Sequence, residues 1–288
     1  MPRFTPGKCA VPGFARRLPE VAPGRVKTLR HRQRLIHATT DTFTTLTSAP
    51  LAISLPQDAI PGVHALPAPD PAIALWMCQL DRIPAGVSAI THLLSPAEHE
   101  RAARFGTEAL RQRWIVGRAT LRLLLASALG IDPAAVPLQR GLRGRPELAD
   151  PHTLDFNVSH TRNIALIAIA HGLPRASRIG VDIERVDRPV DADRLARKFL
   201  TERERSVLVP LDPDARRRGF LRLWTCKEAM SKATGDALLA PFGKIDVITA
   251  DGLRLSSGPP PYTPERWRLF AADVAHDLLA TVAVWRVT

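Results

Sequence analysis

Two long helical patterns in this chain carry the same residue spacing, and that repetition limits the folds open to it. Trp114, Arg118, Ala119 and Arg122 stand at the same mutual spacing as Trp224, Glu228, Ala229 and Lys232. A short helical signal precedes each set, Leu94-Ser95-Pro96-Ala97-Glu98-His99 before the first and Leu200-Thr201-Glu202-Arg203-Glu204-Arg205 before the second. Runs with strand character follow each. A mixed unit used twice predicts an α+β chain of two similar lobes related by a pseudo-twofold axis, each a small sheet packed on a long helix.

Local signals place the elements. Ser95-Pro96 opens a short helix ending at Gly106, and Thr107 caps a longer one running to Gly130 that should bury Leu110, Trp114, Gly117, Leu121, Leu124 and Ala128. In the second half a short helix is expected over residues 191–208, and a long one from Asp212-Pro213 to Gly235. Strands are expected at 73–78, 154–157, 164–170, 180–184, 244–249, 266–271 and 278–287. The expected divisions are 1–70, a basic and disordered N-terminal extension ending in a Pro- and Ala-rich linker over 61–71; 71–176, the first lobe; and 177–288, the second lobe.

Chemistry concentrates in two segments. Gly180-Val181-Asp182-Ile183-Glu184 follows the apolar run 164–170 and a turn around Gly172 and Pro174, so it reads as a strand of an antiparallel meander. Residues two apart on a strand share a face, which sets Asp182 beside Glu184. Adjacent anions repel unless a cation lies between them, and oxygen ligands suit Mg²⁺ when a substrate phosphate completes its shell. On the second long helix, Phe220, Leu223, Lys227 and Met230 form an inward stripe, with Trp224, Glu228 and Lys232 alongside. Charge in an otherwise apolar face marks a functional site. The plainer alternative is a solvated strand end and an exposed Glu228–Lys232 pair worth about 0.3–0.5 kcal/mol. Opposite, the first long helix offers Arg118 and Arg122, so a cleft between the lobes would have a basic wall and a metal-holding wall. A nucleotide diphosphate fits that polarity.

Taken together, Gly180 to Glu184, Lys198-Phe199-Leu200-Thr201-Glu202-Arg203-Glu204, and Trp224-Thr225-Cys226-Lys227-Glu228-Ala229-Met230-Ser231-Lys232 with Gly235 resemble the signature of the 4′-phosphopantetheinyl transferases, Sfp-type branch. Phe156-Asn157-Val158-Ser159-His160-Thr161 resembles the family's Asn-x-Ser-His segment, and Gly144-Arg145-Pro146 its Gly-Lys-Pro turn. The likeness covers residues 73–288.

The resemblance implies an enzyme that moves the phosphopantetheine arm of coenzyme A to a serine of an apo acyl or peptidyl carrier protein, releasing 3′,5′-adenosine bisphosphate. It implies Mg²⁺ on Asp182, Glu184 and Glu228. It further implies Lys232 and His160 on the pyrophosphate, with Arg101, Arg113, Arg145 and Ser159 on the adenine and 3′-phosphate. Glu204 matches a proposed general base, with a metal-activated water as the other choice, and Glu228 and Lys232 complete the catalytic set. Arg194, Arg197 and Arg216, Arg217 and Arg218 are candidate contacts for an acidic carrier. Three positions depart from the family pattern: Arg145 for lysine, Glu98 where a basic phosphate contact is common, and Ala237 for a second glycine after Gly235.

Charge and cysteine usage bound the rest. The net charge of +12 would suggest nucleic acid, but residues 1–56 hold nine Lys/Arg against two acids, leaving only +5 for the remainder. Cys9, Cys78 and Cys226 lack Cys-x-x-Cys spacing, and there is no His-Glu-x-x-His, so neither a disulfide framework nor a zinc hydrolase is indicated. No run approaches the ~20 apolar residues of a membrane span. A cytoplasmic monomer that binds neither nucleic acid nor membrane is expected. The competing readings are a Mg²⁺-dependent nuclease using Asp182, Glu184, Glu228 and Lys232, and a non-enzymatic adaptor using the Arg-rich arm on nucleic acid or an acidic partner.

Overall fold

Branched apolar residues in alternation make the strands here, and two capped amphipathic helices cover them. The computed structural model describes residues 53, 55, 60–82, 86–141, 143–149, 154–173 and 177–287, all within one compact unit, Thr45–Thr288. In chain order the strands are β1 (Val63–Leu66), β2 (Ile73–Gln79), β3 (Leu138–Arg140), β4 (Pro146–Leu148), β5 (Leu154–Thr161), β6 (Ile164–His171), β7 (Ser177–Arg185), β8 (Asp246–Ile248), β9 (Arg254–Ser257), β10 (Trp267–Ala271) and β11 (Leu278–Arg286). The helices are α1 (Pro96–Ala103), α2 (Glu108–Leu129), α3 (Ala192–Phe199), α4 (Glu202–Leu208) and α5 (Pro213–Thr234).

The first sheet runs β1-β2-β6-β5 and the second β10-β11-β7, antiparallel throughout. β6 is apolar on both faces because both are covered. Ile167 and Ile169 pack with Leu121, Leu124 and Leu125 of α2, whereas Leu166, Ala168 and Ala170 share a core with Val181 and Ile183 of β7 and Val282 of β11. On the other side of β7, α5 supplies Phe220, Leu223, Cys226, Ala229, Met230 and Ala233 to a third cluster. Each such Leu or Ile contributes about 1.5–3 kcal/mol by leaving water.

Both long helices start and stop as their caps dictate. Thr107 accepts from the Leu110 amide and Asp212 from the Asp214 and Ala215 amides, while Gly130 (φ 68°) and Gly235 (φ 80°) end them in the left-handed conformation. Ala237 lies in the same region at φ 49°, a strained setting for a residue with a Cβ, where the family pattern has glycine.

Four expectations need correction. Residues 61–71 are not a bare linker: Val63–Leu66 adds an edge strand to the first sheet, and Ile60 is buried beside it. The extension proper, residues 1–52, lies outside the described residues. Secondly, β7 does not continue a meander from β6. Its ladder partner is β11, with Asp182 opposite Thr281 and Glu184 opposite Leu279. Thirdly, the expected helix at 191–208 is two helices. Thr201 caps α4 and Glu204 returns a bond to the Thr201 amide, a capping box that restarts the helix in a new direction. Lastly, Leu110 is half exposed; the face of α2 turned inward carries Ile115, Val116, Ala119 and Leu125.

Gly180 sets how closely α5 lies on β7. A Cβ there would fall 2.0 Å from the Ala229 carbonyl oxygen and 2.7 Å from the Ala233 amide nitrogen, both backbone atoms that cannot yield. Gly180→Ala is therefore expected to lift α5 and cost about 3 kcal/mol, seen as a lower urea midpoint together with lost activity.

Candidate active site

Alternation on β7 decides which side chains meet α5. Ile179, Val181 and Ile183 enter the core between the sheets, so Gly180, Asp182 and Glu184 face the helix. The Gly180 contact at Ala229 and Ala233 brings the stripe of Glu228 and Lys232 over the two acids.

Asp182 is the centre of the cluster and only 5% exposed. Its Oδ1 accepts from Lys232 Nζ at 2.6 Å and from Ser159 Oγ at 2.8 Å, and Lys232 Nζ also donates to Ser159 Oγ at 2.8 Å. Its Oδ2 is buried without a hydrogen-bond partner. Lys232 thus pairs with Asp182, across the gap between strand and helix, rather than forming an exposed helical pair with Glu228.

The other two carboxylates feel this charge. Desolvation and then Asp182 push Glu184 above the ordinary carboxylate range, against the pull of Arg188, with which it pairs. Desolvation, Asp182 and Glu184 carry Glu228 up to about 7, with Lys232 opposing. Glu184 and Glu228, both raised beside the Asp182 carboxylate, are short of positive charge. Among the described residues, no three His, Cys, Asp or Glu side chains are already gathered around one point as a metal centre. A cation here would take over from Lys232 and Arg188 as the acids' counter-charge.

His160 stands next to Ser159 at the end of β5, with its Nε2 over Gly117 of α2. Although His160 is exposed at the surface, the protein crowded around its ring, and then the charges of Lys232 and Arg118, pull its imidazole down to about 4, so it is neutral at physiological pH. Arg118 and Arg101 lie over the Trp114 ring at 5.6 and 5.7 Å, and Glu98 pairs with Arg118 at 3.4 Å. Basic charge thus extends from Lys232 past His160 to Arg118 and Arg101. Arg113, half buried on α2, forms no hydrogen bond or ion pair with the described residues of this group.

Three residues expected at the site belong elsewhere. Glu204 is 2% exposed and its carboxylate is fully engaged: Oε2 meets Lys227 Nζ at 2.7 Å and the Thr201 amide at 2.8 Å, and Oε1 the Val247 amide at 2.9 Å. Such a group cannot reach a substrate hydroxyl, which removes it as general base. Arg145 forks onto Asp155 and donates to the carbonyls of Lys232, Phe156 and Ile179. With its guanidinium spent inside the fold, it ties α5 to β5 and β7 instead of holding a phosphate. Arg122, expected in the basic wall, is buried against Glu98 and the carbonyls of Pro133, Ala134 and Val136. Asp155 and Arg188 were not anticipated, and Asn157 was named only as part of the Asn-x-Ser-His segment, without a role. The alternation of polar residues at 155, 157 and 159 was the available signal for Asp155 and Asn157.

Matches to known proteins cover both halves of the chain. The 4′-phosphopantetheinyl transferase superfamily model matches residues 178–283, and the model of a 4′-phosphopantetheinyl transferase N-terminal region matches residues 81–171. The 4′-phosphopantetheinyl transferase HetI of Nostoc sp. is 36% identical over 217 residues, which is 74% of this chain and 87% of that protein. A 4′-phosphopantetheinyl transferase of Bacillus subtilis is 28% identical over 204 residues, 70% of this chain and 85% of its own length. The Sfp protein of Bacillus subtilis strain 168 is 24% identical over 191 residues, 66% of this chain and 82% of its own. With the Asp182, Glu228 and Lys232 cluster lying inside the matched span, the chain belongs to the 4′-phosphopantetheinyl transferase superfamily.

Proposed function

We propose that the chain transfers the 4′-phosphopantetheine group of coenzyme A to a serine hydroxyl of an apo acyl or peptidyl carrier protein, with release of adenosine 3′,5′-bisphosphate. The observation that carries this reading is the Asp182–Lys232–Ser159 cluster, flanked by Glu184, Glu228 and His160, inside a chain of this family.

The donor set fits Mg²⁺. Asp182 keeps an unpartnered buried oxygen, and Glu184 and Glu228 are raised by desolvation and by its charge. Asp182, Glu184 and Glu228 would hold the ion, which when bound neutralises the pyrophosphate of coenzyme A and draws off charge from the departing oxygen. Phosphoryl transfer of this kind is mostly positioning and charge neutralisation. Lys232 supplies a point charge to a phosphate oxygen, and neutral His160 supplies one N–H donor. Ser159 keeps Lys232 in place. Arg101 and Arg118, both over the Trp114 ring, make the basic side toward which the nucleotide end of the substrate would lie, and Arg113 on the same helix as Arg118 would add to it. With Glu204 enclosed, Glu228 is the carboxylate left at the cluster to take the serine proton.

All of these groups come from one chain, which supports action as a monomer. Among the described residues no helix is long and apolar enough to cross a membrane. We place the enzyme in the cytoplasm, where coenzyme A and carriers meet, with no part for nucleic acid or membrane. Basic residues Arg194, Arg197 and Lys198 line a hollow of about 620 Å³ beside α3, suited to an acidic carrier.

The test is direct. Full-length protein, coenzyme A, Mg²⁺ and an apo carrier domain should give a carrier heavier by one phosphopantetheine group in intact-mass spectrometry. No mass gain with fatty-acid, polyketide or nonribosomal-peptide carriers would reject the reading.

A further inference from the structure

β5 and β7 are neighbours whose backbones do not form a ladder; side chains of β5 supply the acceptors instead. Asp155 Oδ2 accepts from the Ile179 amide at 2.7 Å, Asn157 Oδ1 from the Val181 amide at 3.0 Å, and Ser159 Oγ from the Ile183 amide at 3.4 Å. The rungs advance by two residues on both strands, so one register governs all three. The second and third rungs hold the amides on either side of Asp182, those of Val181 and Ile183. The third rung's oxygen, Ser159 Oγ, also donates to Asp182 Oδ1 and accepts from Lys232 Nζ. Where β5 lies along β7 therefore fixes where the Asp182 carboxylate meets its partners. Asp155 is shared with Arg145 and Ser159 with the site itself, whereas the Asn157 oxygen serves the Val181 amide. Asn157 is 5% exposed, so that bond is shielded from competing water.

We propose that Asn157 is a positioning residue for the Asp182 metal site, acting through the Val181 amide to hold β7 at the height where Asp182 meets Ser159 and Lys232. A bond that merely satisfied a buried amide would support stability alone. This bond adjoins the metal-binding residue, and its loss frees the 180–181 peptide, immediately before Asp182, to shift. The inference rests on the magnesium reading above.

Mn²⁺ binding to the full chain without coenzyme A, followed by isothermal titration calorimetry, tests it. Asn157→Ala is expected to weaken Mn²⁺ by about 10- to 100-fold and to lower the transfer rate at limiting metal, with recovery as metal is raised. Asn157→Asp keeps an acceptor of the same length, as Asp155 does one rung away, and is expected to restore Mn²⁺ binding. Should Asn157→Ala not fold, Asn157→Thr, with its shorter arm, gives the same comparison. Asp182→Asn serves as the reference for loss of a ligand. If Asn157→Ala binds Mn²⁺ within about twofold of wild type and only melts earlier, Asn157 is structural and the proposal is overturned. If wild type and Asp182→Asn take up Mn²⁺ alike, the magnesium reading fails and this inference fails with it.

Discussion

Replacing Asp182 by Asn should abolish transfer while leaving the fold as stable as before. The expected loss in kcat is about 10³-fold or more, corresponding to about 4 kcal/mol of charge stabilisation supplied at the pyrophosphate. Stability should not fall with it. The wild-type carboxylate is buried with one oxygen unpartnered, and such a group is costly to keep out of water. An amide in its place carries no charge and still offers Ser159 and Lys232 an acceptor, so the melting temperature is expected to stay level or rise. Glu228→Gln should behave similarly in activity. Radiolabelled transfer and a melting curve on the same sample measure both halves of the prediction, and normal turnover by either variant would exclude the cluster as the site.

Lys227→Met should give the opposite result, a stability loss that precedes any question of chemistry. Lys227 is fully buried one residue before Glu228, and its ammonium donates to the carbonyls of Phe199, Phe242 and Ile245 as well as to Glu204. Removing it strands the Glu204 carboxylate in the interior, which costs about 3–5 kcal/mol. For a unit of this size that is a drop of roughly 10 °C in melting temperature. Adding Glu204→Gln should recover part of the loss, because an uncharged amide can still accept from the Val247 or Thr201 amide. Equal melting temperatures for the single and double variants would show that the two side chains do not act as a pair. Their coupling also gives Glu204 a purpose without catalysis: the capping box and ion pair hold α4 and the 242–247 segment onto α5.

Much of the frame was legible because its signals are local. Asp212-Pro213 and Gly235 bracket α5, Thr107 and Gly130 bracket α2, and period-two alternation put Asp182 and Glu184 on one face of β7. The convergence of these acids with the Glu228 and Lys232 stripe was expected from the family resemblance, whereas the direct bond from Lys232 to Asp182 and the close approach at Gly180 were not. Other features depend on partners far along the chain. Nothing local distinguishes Arg145, which turns inward to Asp155, from an arginine that turns outward to a phosphate. Arg122 and Glu98 are alike in this. Glu204 was different, since Thr201-x-x-Glu204 is a capping signal that can be read directly; its family position had suggested a base. The edge strand at 63–66 escaped notice because prolines surround it and only its pairing with β2 makes it a strand.

The state of the two described cysteines matters for an enzyme whose substrate ends in a free sulfhydryl. Cys78 and Cys226 are completely buried, and burial pushes both thiols up to about 11. Neither offers the thiolate that disulfide exchange requires. Oxidised coenzyme A, or a newly loaded carrier arm, would find nothing to cross-link to at these positions. Thiol-reactive dyes carried on the pantetheine end could accordingly be delivered to a carrier with Cys78 and Cys226 left unmodified.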